Sequence, residues 1–408
     1  MMRSPWEPLP AEPAPVPFSG TRAAAKSLVI PIEARIMIVA LCFRLLGATV
    51  GFIGNVTIPD YQDQGFTVLE RANPFWDRFA RWDAGWYYGI AAKGYHYVEN
   101  GRNNLAFFPA YPKLMSALGH AMGGEQADFY FAGIIISWLS FIIAMPLLYR
   151  LARLDLPHDA ALRATMYAAI FPSAYFFGVV YSEALFMLTL VGATLAFRTQ
   201  RWWAGALAAA VMTATRVNGV MFLPALALIG WIAADGSWRQ RRLAIAAAAA
   251  GTAGIASYSW FAYTISGNPL EWYDSITRWG YAPGGNPLSG LAAIADELLT
   301  RPIEFISTER MAPYDTLNAL VAAGALLSTP FIWLRFGAGY AAVVMLGLLL
   351  PLSSGQFEGL GRYCSVLFPL AILFASMKGE TRHSGLMAGF GLFYTLGLLL
   401  FGNVYPLF

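Results

Sequence analysis

Long apolar stretches separated by short polar turns recur along this chain from about residue 36 to residue 404. A helix of about 17 to 25 apolar residues is long enough to cross a hydrocarbon core of roughly 30 Å. By that measure spans are expected near residues 36–53, 128–149, 164–180, 183–198, 203–216, 219–234, 241–264, 313–334, 338–353, 363–377 and 384–404, a working count of about 11. The pattern predicts an all-α polytopic membrane protein. Residues 31–408 read as one transmembrane domain, and residues 1–30, rich in proline and lacking an apolar core with a small-residue cleavage pattern, read as a disordered cytoplasmic tail before a signal anchor.

The polar turns carry an orientation signal. Arg22, Lys26, Arg150, Arg153, Arg163, Arg198, Arg201, Arg239, Arg241, Arg242, Arg335, Lys378 and Arg382 all fall on one side of the expected spans. Cytoplasmic loops are enriched in Lys and Arg, so that side is read as cytoplasmic. The long polar segments at 54–127 and 265–312 then form two extracytoplasmic loops. Residues 105–122 must dip in and return or lie at the interface for the count to hold, and Pro109 and Pro112 suit a broken segment. The spans at 164–180 and 183–198 meet around Tyr181–Ser182–Glu183, and those at 203–216 and 219–234 meet around Arg216–Val217–Asn218. Both pairs are short. Irregular backbone and charge at membrane depth persist only where protein or a wet cavity surrounds them.

Composition agrees with this picture and excludes others. The chain is 57% hydrophobic and 12% charged, with a mean hydropathy of +0.51. A soluble domain has roughly 45–50% apolar and about 25% charged residues, and no large soluble domain is left over here. The net charge of +3 is modest and its basic residues sit at segment ends, which argues against nucleic acid as a partner. Cys42 and Cys364 both lie in apolar segments, so neither a disulfide framework nor a thiolate metal site is expected. Four scattered histidines (His96, His120, His158, His383) and the absence of HxxxH or DxD in the outer loops leave no metal ligand set; a divalent Mg or Mn has no pattern to support it. No P-loop glycine cradle occurs either. An activated sugar would have to arrive on a lipid.

The densest candidate chemistry is in the first outer loop, where residues 81–95 read RWDAGWYYGIAAKGY, followed by FFPAYP at 107–112. On a helix starting near Trp82, positions 82, 86 and 90 share an apolar face while Asp83 and Tyr87 share the next. Asp83 reads either as a general base at a helix N-terminus, where the dipole favours its ionised form, or as an N-cap. Arg81, Lys93 and His96 fit an anionic lipid headgroup or simple snorkelling at the interface. Phe107, Phe108 and Tyr111 fit a lipid or sugar wall, or an aromatic belt. Glu183 is either a second carboxylate of the site or a complement to its helix N-terminus. Arg216 interrupts an apolar run and calls for a phosphate or carboxylate partner. In SSGQFEGLGRY, residues 353–363, Glu358 and Arg362 are four apart, the spacing of a structural ion pair, while Gly355, Gly359 and Gly361 favour a closely approached loop that makes Arg362 a second phosphate candidate. Arg44, within the first span, is expected to find a structural partner.

RWDAGWYYGIAAKGY and FFPAYP resemble the PIG-V type of mannosyltransferase, which adds the second mannose in GPI-anchor assembly, and its shorter prokaryotic relatives. The similarity continues in FPSAYFFGVVYSEALF (171–186), ATRVNG (214–219) and, more weakly, EWYDSITRWG (271–280) and GRY (361–363). The resemblance implies a GT-C glycosyltransferase fold, a polyprenyl-phosphate-linked sugar donor, and an acid in the first outer loop as catalytic centre. On the matching positions, Asp83 takes the acid's place with Arg81, Trp82 and Tyr87 as flanks. Tyr181, Ser182 and Glu183 form the second block, and Thr215, Arg216 and Asn218 the third. Arg362 and Tyr363 lie in the last. The expected function is inverting transfer of mannose from polyprenyl-phosphate-mannose to a lipid or glycan acceptor, in a bacterial cytoplasmic membrane with the site on the extracytoplasmic face. Asp83 would be the base, Arg216 and Arg362 (with Arg81) the phosphate ligands, and Trp279, with Trp272, Tyr273 and Tyr281, a sugar-stacking platform. The rival readings are transfer of a pentose or glucose from the same kind of carrier, and a lipid-linked-sugar transporter.

Overall fold

The computed structural model describes residues 30–61, 74–281, 284–307, 313–355, 357 and 359–405. Residues 1–29 of the expected tail at 1–30, and Glu358 with its expected pairing to Arg362, lie outside them. Among the described residues the regular structure is entirely helical.

The chain opens with α1 (Ile32–Thr57) and continues through the short elements α2 (Pro74–Asp77), α3 (Ala84–Lys93) and α4 (Ala110–Met122). Next come α5 (Gln126–Ala152), α6 (His158–Ile170), α7 (Glu183–Arg198), α8 (Trp202–Thr215) and α9 (Leu223–Ala233). After α10 (Trp238–Ala250) and α11 (Ala253–Ser266) come the short helices α12 (Glu271–Arg278), α13 (Ser289–Thr300) and α14 (Pro302–Ser307). The last part comprises α15 (Pro313–Phe336), α16 (Ala338–Ser353), α17 (Leu360–Ser365), α18 (Phe368–Ala375) and α19 (Glu380–Gly402).

Among the described residues, five stretches are long and apolar enough to cross a bilayer: Ile32–Thr57, Gln126–Ala152, Trp238–Ser266, Tyr314–Phe336 and Glu380–Gly402. Shorter apolar helices, Trp202–Thr215, Val217–Ala233 and Ala338–Ser353, accompany them. The protein is an integral membrane protein. The expected span at 164–180 is instead broken: α6 stops at Ile170, Pro172 withholds a backbone donor, and a 3₁₀ turn at Ala174–Gly178 follows. The segment at 105–122 holds no helix long enough to span a bilayer. Its helix α4 has 13 residues, about 20 Å at 1.5 Å per residue, and packs on α3 and α5.

The densest packing joins α5 to α4 and α7, and α7 to α8, with α1 and α19 alongside. Glycines let these helices close in. A Cβ on Gly254 of α11 would stand 1.9 Å from the Ala210 carbonyl oxygen of α8, and one on Gly219 would stand 2.7 Å from the Met212 oxygen. The latter holds the turn after Arg216 tightly against α8. Arg44, on α1, is buried with its guanidinium 4.1 Å from the Phe141 ring centroid and a hydrogen bond to the Ala174 oxygen at 3.4 Å, the structural partnership its position demanded.

Candidate active site

Asp83 precedes α3 in a turn whose preceding residue, Trp82, has φ of +52°, the left-handed region that a bulky side chain rarely adopts. Two features hold this turn. The Ala84 and Gly85 N–H groups donate to the Arg81 and Trp82 oxygens at 3.1 Å each, and the Asp83 N–H donates to the Tyr181 hydroxyl at 3.2 Å. The Asp83 side chain makes no cap bond to α3. Its carboxylate accepts instead from Arg362 Nη1 at 2.9 Å, which separates it from the N-cap reading.

Glu183 opens α7 and is 1% exposed. It accepts from Arg216 Nη1 in a short ion pair, and its Oε1 lies 3.4 Å from Arg362 Nε. Arg216 also donates to Ser182 Oγ at 3.3 Å, and Ser182 shares a 3.0 Å hydrogen bond with the Tyr87 hydroxyl. Burial, and after it the Glu183 carboxylate, push the Tyr87 hydroxyl well above its ordinary value, so it serves as a neutral hydrogen-bonding group. The Arg216 guanidinium lies 4.9 Å from the Tyr363 ring centroid, and that of Arg362 lies 5.5 Å from the rings of Phe176 and Tyr181. Arg362 itself is placed by α17, whose Gly361 N–H donates to Asn318 Oδ1 of α15 at 2.9 Å.

Beside these groups opens a cavity of about 310 Å³, at the small end of the range for ligand sites. Of the expected site residues, Asp83, Tyr87, Arg216, Asn218, Arg362, Tyr363 and Trp279 line it. Phe107, Phe108, Trp272, Tyr273 and Tyr281 add the aromatic walls, and Val217, Val220, Met221, Ile276, Leu350 and Pro351 an apolar side. Asn218 is 2% exposed, and its Oδ1 has no hydrogen-bond partner. The apolar side escaped sequence reasoning because its residues look like any others in apolar runs; only the closeness of the turn at 217–222 to α16 exposes them.

The other expected residues do not reach the cavity wall. Arg81, expected as a phosphate ligand, is 1% exposed and fully engaged with Asp77 at 2.7 Å and the Gly402 oxygen at 3.1 Å; this corrects that expectation. Tyr181 acts on Asp83 from behind, and Tyr111 donates to the Gly133 oxygen at 2.9 Å while packing edge-on against Tyr87. Glu183 stands behind the two arginines, and Trp82 contributes the strained backbone. Lys93, the last residue of α3, and His96 just after it are exposed. Among the described residues there is no cluster of three or more metal-ligating side chains. Asp83 and Glu183 are each matched by a guanidinium, a charge pattern that opposes a divalent cation and suits an anion.

These elements define a helical membrane protein with a buried, charge-paired site. Residues 56–230 match the sequence model of the mannosyltransferase (PIG-V) family, in agreement with the resemblance seen in the motifs. The chain is 26% identical over 209 residues to GPI alpha-1,6-mannosyltransferase 2 of Cricetulus griseus, an overlap of 47% of this chain and 41% of that protein. It therefore spans less than half the length of that relative. Among solved structures, it is similar to ArnT from Cupriavidus metallidurans bound to undecaprenyl phosphate, with TM-score 0.49, 12% identity, and coverage of 90% of this chain and 76% of the other. It is also similar to the oligosaccharyltransferase of Archaeoglobus fulgidus, with TM-score 0.43, 11% identity, and coverage of 90% and 56%.

Proposed function

We propose that the protein is an inverting mannosyltransferase that takes mannose from a polyprenyl-phosphate carrier on the extracytoplasmic face of the membrane and passes it to a lipid or glycan hydroxyl. The observation that carries this reading is the facing of one accessible carboxylate and two guanidiniums across an aromatic and apolar cavity. The Asp83 side chain is 34% exposed against 1% for Glu183, so Asp83 is the acid a substrate can reach. The guanidiniums of Arg216 and Arg362 suit a phosphate through charge-assisted hydrogen bonds. The aliphatic wall of Val220, Met221 and Leu350 suits the first isoprene units, and the faces of Trp272, Tyr273 and Trp279 suit a sugar ring.

In the reaction, the acceptor oxygen attacks the anomeric carbon and its proton passes to Asp83. The bond from that carbon to the phosphate oxygen breaks, and its electron pair leaves with the lipid phosphate. Asp83 loses its charge as the phosphate gains one. Arg362, which bonds Asp83, stands where it can follow the charge from one to the other. The unpaired Asn218 oxygen offers an acceptor for a sugar hydroxyl.

Transfer of labelled mannose from mannosyl-phosphoryl-undecaprenol into extractable lipid or glycan, measured in membranes carrying the protein, tests this. Wild type should transfer and Asp83→Asn should fall by about 10²- to 10⁴-fold, the range for losing a general base. No transfer by wild type would remove the donor class. Wild-type transfer by D83N would remove Asp83 as base.

A further inference from the structure

Glu183 touches no part of the cavity, yet it pairs with both guanidiniums of the site. Its Oε1 meets both Arg216 and Arg362, while its Oε2 is buried with no hydrogen-bond partner. A carboxylate held at 1% exposure with an unused oxygen is unfavourable as pure scaffolding, since an apolar replacement for a buried ion pair is often neutral or stabilising. Two effects of its charge bear on a ligand. It draws the two guanidiniums together from behind, so that both face the cavity, and it cancels one of their charges.

The second effect decides how the site releases its product. Asp83, Arg216 and Arg362 are the charged residues of the cavity wall among those described, and by themselves they leave a net positive site. With Glu183 behind them the four charges balance. During transfer Asp83 becomes neutral and the lipid phosphate gains a negative charge, so attraction for the phosphate is greatest at the moment it must leave. At that moment the phosphate faces one uncancelled guanidinium with Glu183 in place and two without it, and in a low-dielectric setting the second would hold it strongly.

We infer that Glu183 is a positioning and counter-charge residue: it sets Arg216 and Arg362 side by side and limits their hold on the lipid phosphate, so that the carrier leaves after transfer. The inference rests on the polyprenyl-phosphate reading given above.

The test uses the full-length protein in detergent, with undecaprenyl phosphate as probe and binding followed by equilibrium titration and by ligand-induced thermal stabilisation. Wild type should bind, and Glu183→Gln should bind at least about tenfold tighter, with a larger thermal stabilisation by the lipid, because one unit of opposing charge is gone. A role confined to scaffolding moves the result the other way: binding by E183Q that is equal to or weaker than wild type would overturn the inference alone. No binding by wild type would overturn the donor reading, and the inference with it. If E183Q cannot be recovered folded, the same effect is read from Arg216→Gln against the double variant E183Q/R216Q. The double variant should bind undecaprenyl phosphate about tenfold tighter than R216Q, and equal or weaker binding would overturn the inference.

Discussion

Replacing Tyr181 with phenylalanine removes a single oxygen that never reaches the cavity, and it should nonetheless disable the site. The Tyr181 hydroxyl is the acceptor for the Asp83 N–H at 3.2 Å, and its ring is fully buried against Phe176, Phe401 and Tyr87. Phenylalanine keeps those ring contacts, so the loss is confined to the hydrogen bond. A partly buried donor left without an acceptor costs about 1–3 kcal/mol. The turn it restrains already holds Trp82 at φ +52°, a conformation that costs of order 1–3 kcal/mol for a non-glycine residue. Because the two magnitudes are comparable, losing the bond lets the turn relax and carries the Asp83 carboxylate with it. A displacement near 1 Å is worth on the order of 10²-fold in rate. The variant should therefore express, lose only a few degrees of thermal stability, and transfer mannose roughly 10²-fold more slowly, as measured in the labelled-donor assay beside D83N. Turnover within twofold of wild type would refute the claim that this bond places the catalytic acid.

Three further outcomes follow from the packing. Gly254→Ala would drive a methyl to 1.9 Å from the Ala210 oxygen, so α11 must lift from α8; a loss of about 3 kcal/mol or more, read as a lower melting temperature, is expected. Arg78 is 2% exposed, its guanidinium has no hydrogen bond and lies 4.5 Å from each of the Phe75 and Phe79 rings, so Arg78→Met should raise the melting temperature, since several kcal/mol of desolvation outweigh about 2 from the rings. Glu271, 2% exposed, ties Asn103 of the first outer region to Arg278 of α12, so Glu271→Gln should loosen the aromatic wall carrying Trp272 and Trp279 and raise the protease sensitivity of the second outer region.

How much of this was written in the chain depends on the range of the interaction concerned. Burial of long apolar runs is local, so the positions of α1, α5, α15 and α19 could be read directly, and Asp83, Arg216 and Arg362 stood out as charges in apolar or aromatic surroundings. Pairing is not local. Arg362 has a carboxylate four residues upstream in sequence, but its bond runs to Asp83, 279 residues away, and no spacing rule reaches that far. Arg81 is the opposite case, because its partner Asp77 is local, four residues earlier, and satisfies the guanidinium before a phosphate could. The break after Ile170 was also readable, since Pro172 sits inside the run assigned as one span.

The four charges of the site come from four separate elements: the turn before α3, the start of α7, the end of α8, and α17. During synthesis at about 5–20 residues per second, Asp83 emerges some 15–60 seconds before Arg362. Through that interval the nascent chain carries an acid with no matching base, and the charges cancel only when the last quarter of the protein docks. Neutrality of the site thus reports that assembly is complete. A chain that ended before α17, or inserted without it, would keep the Asp83 charge unpaired.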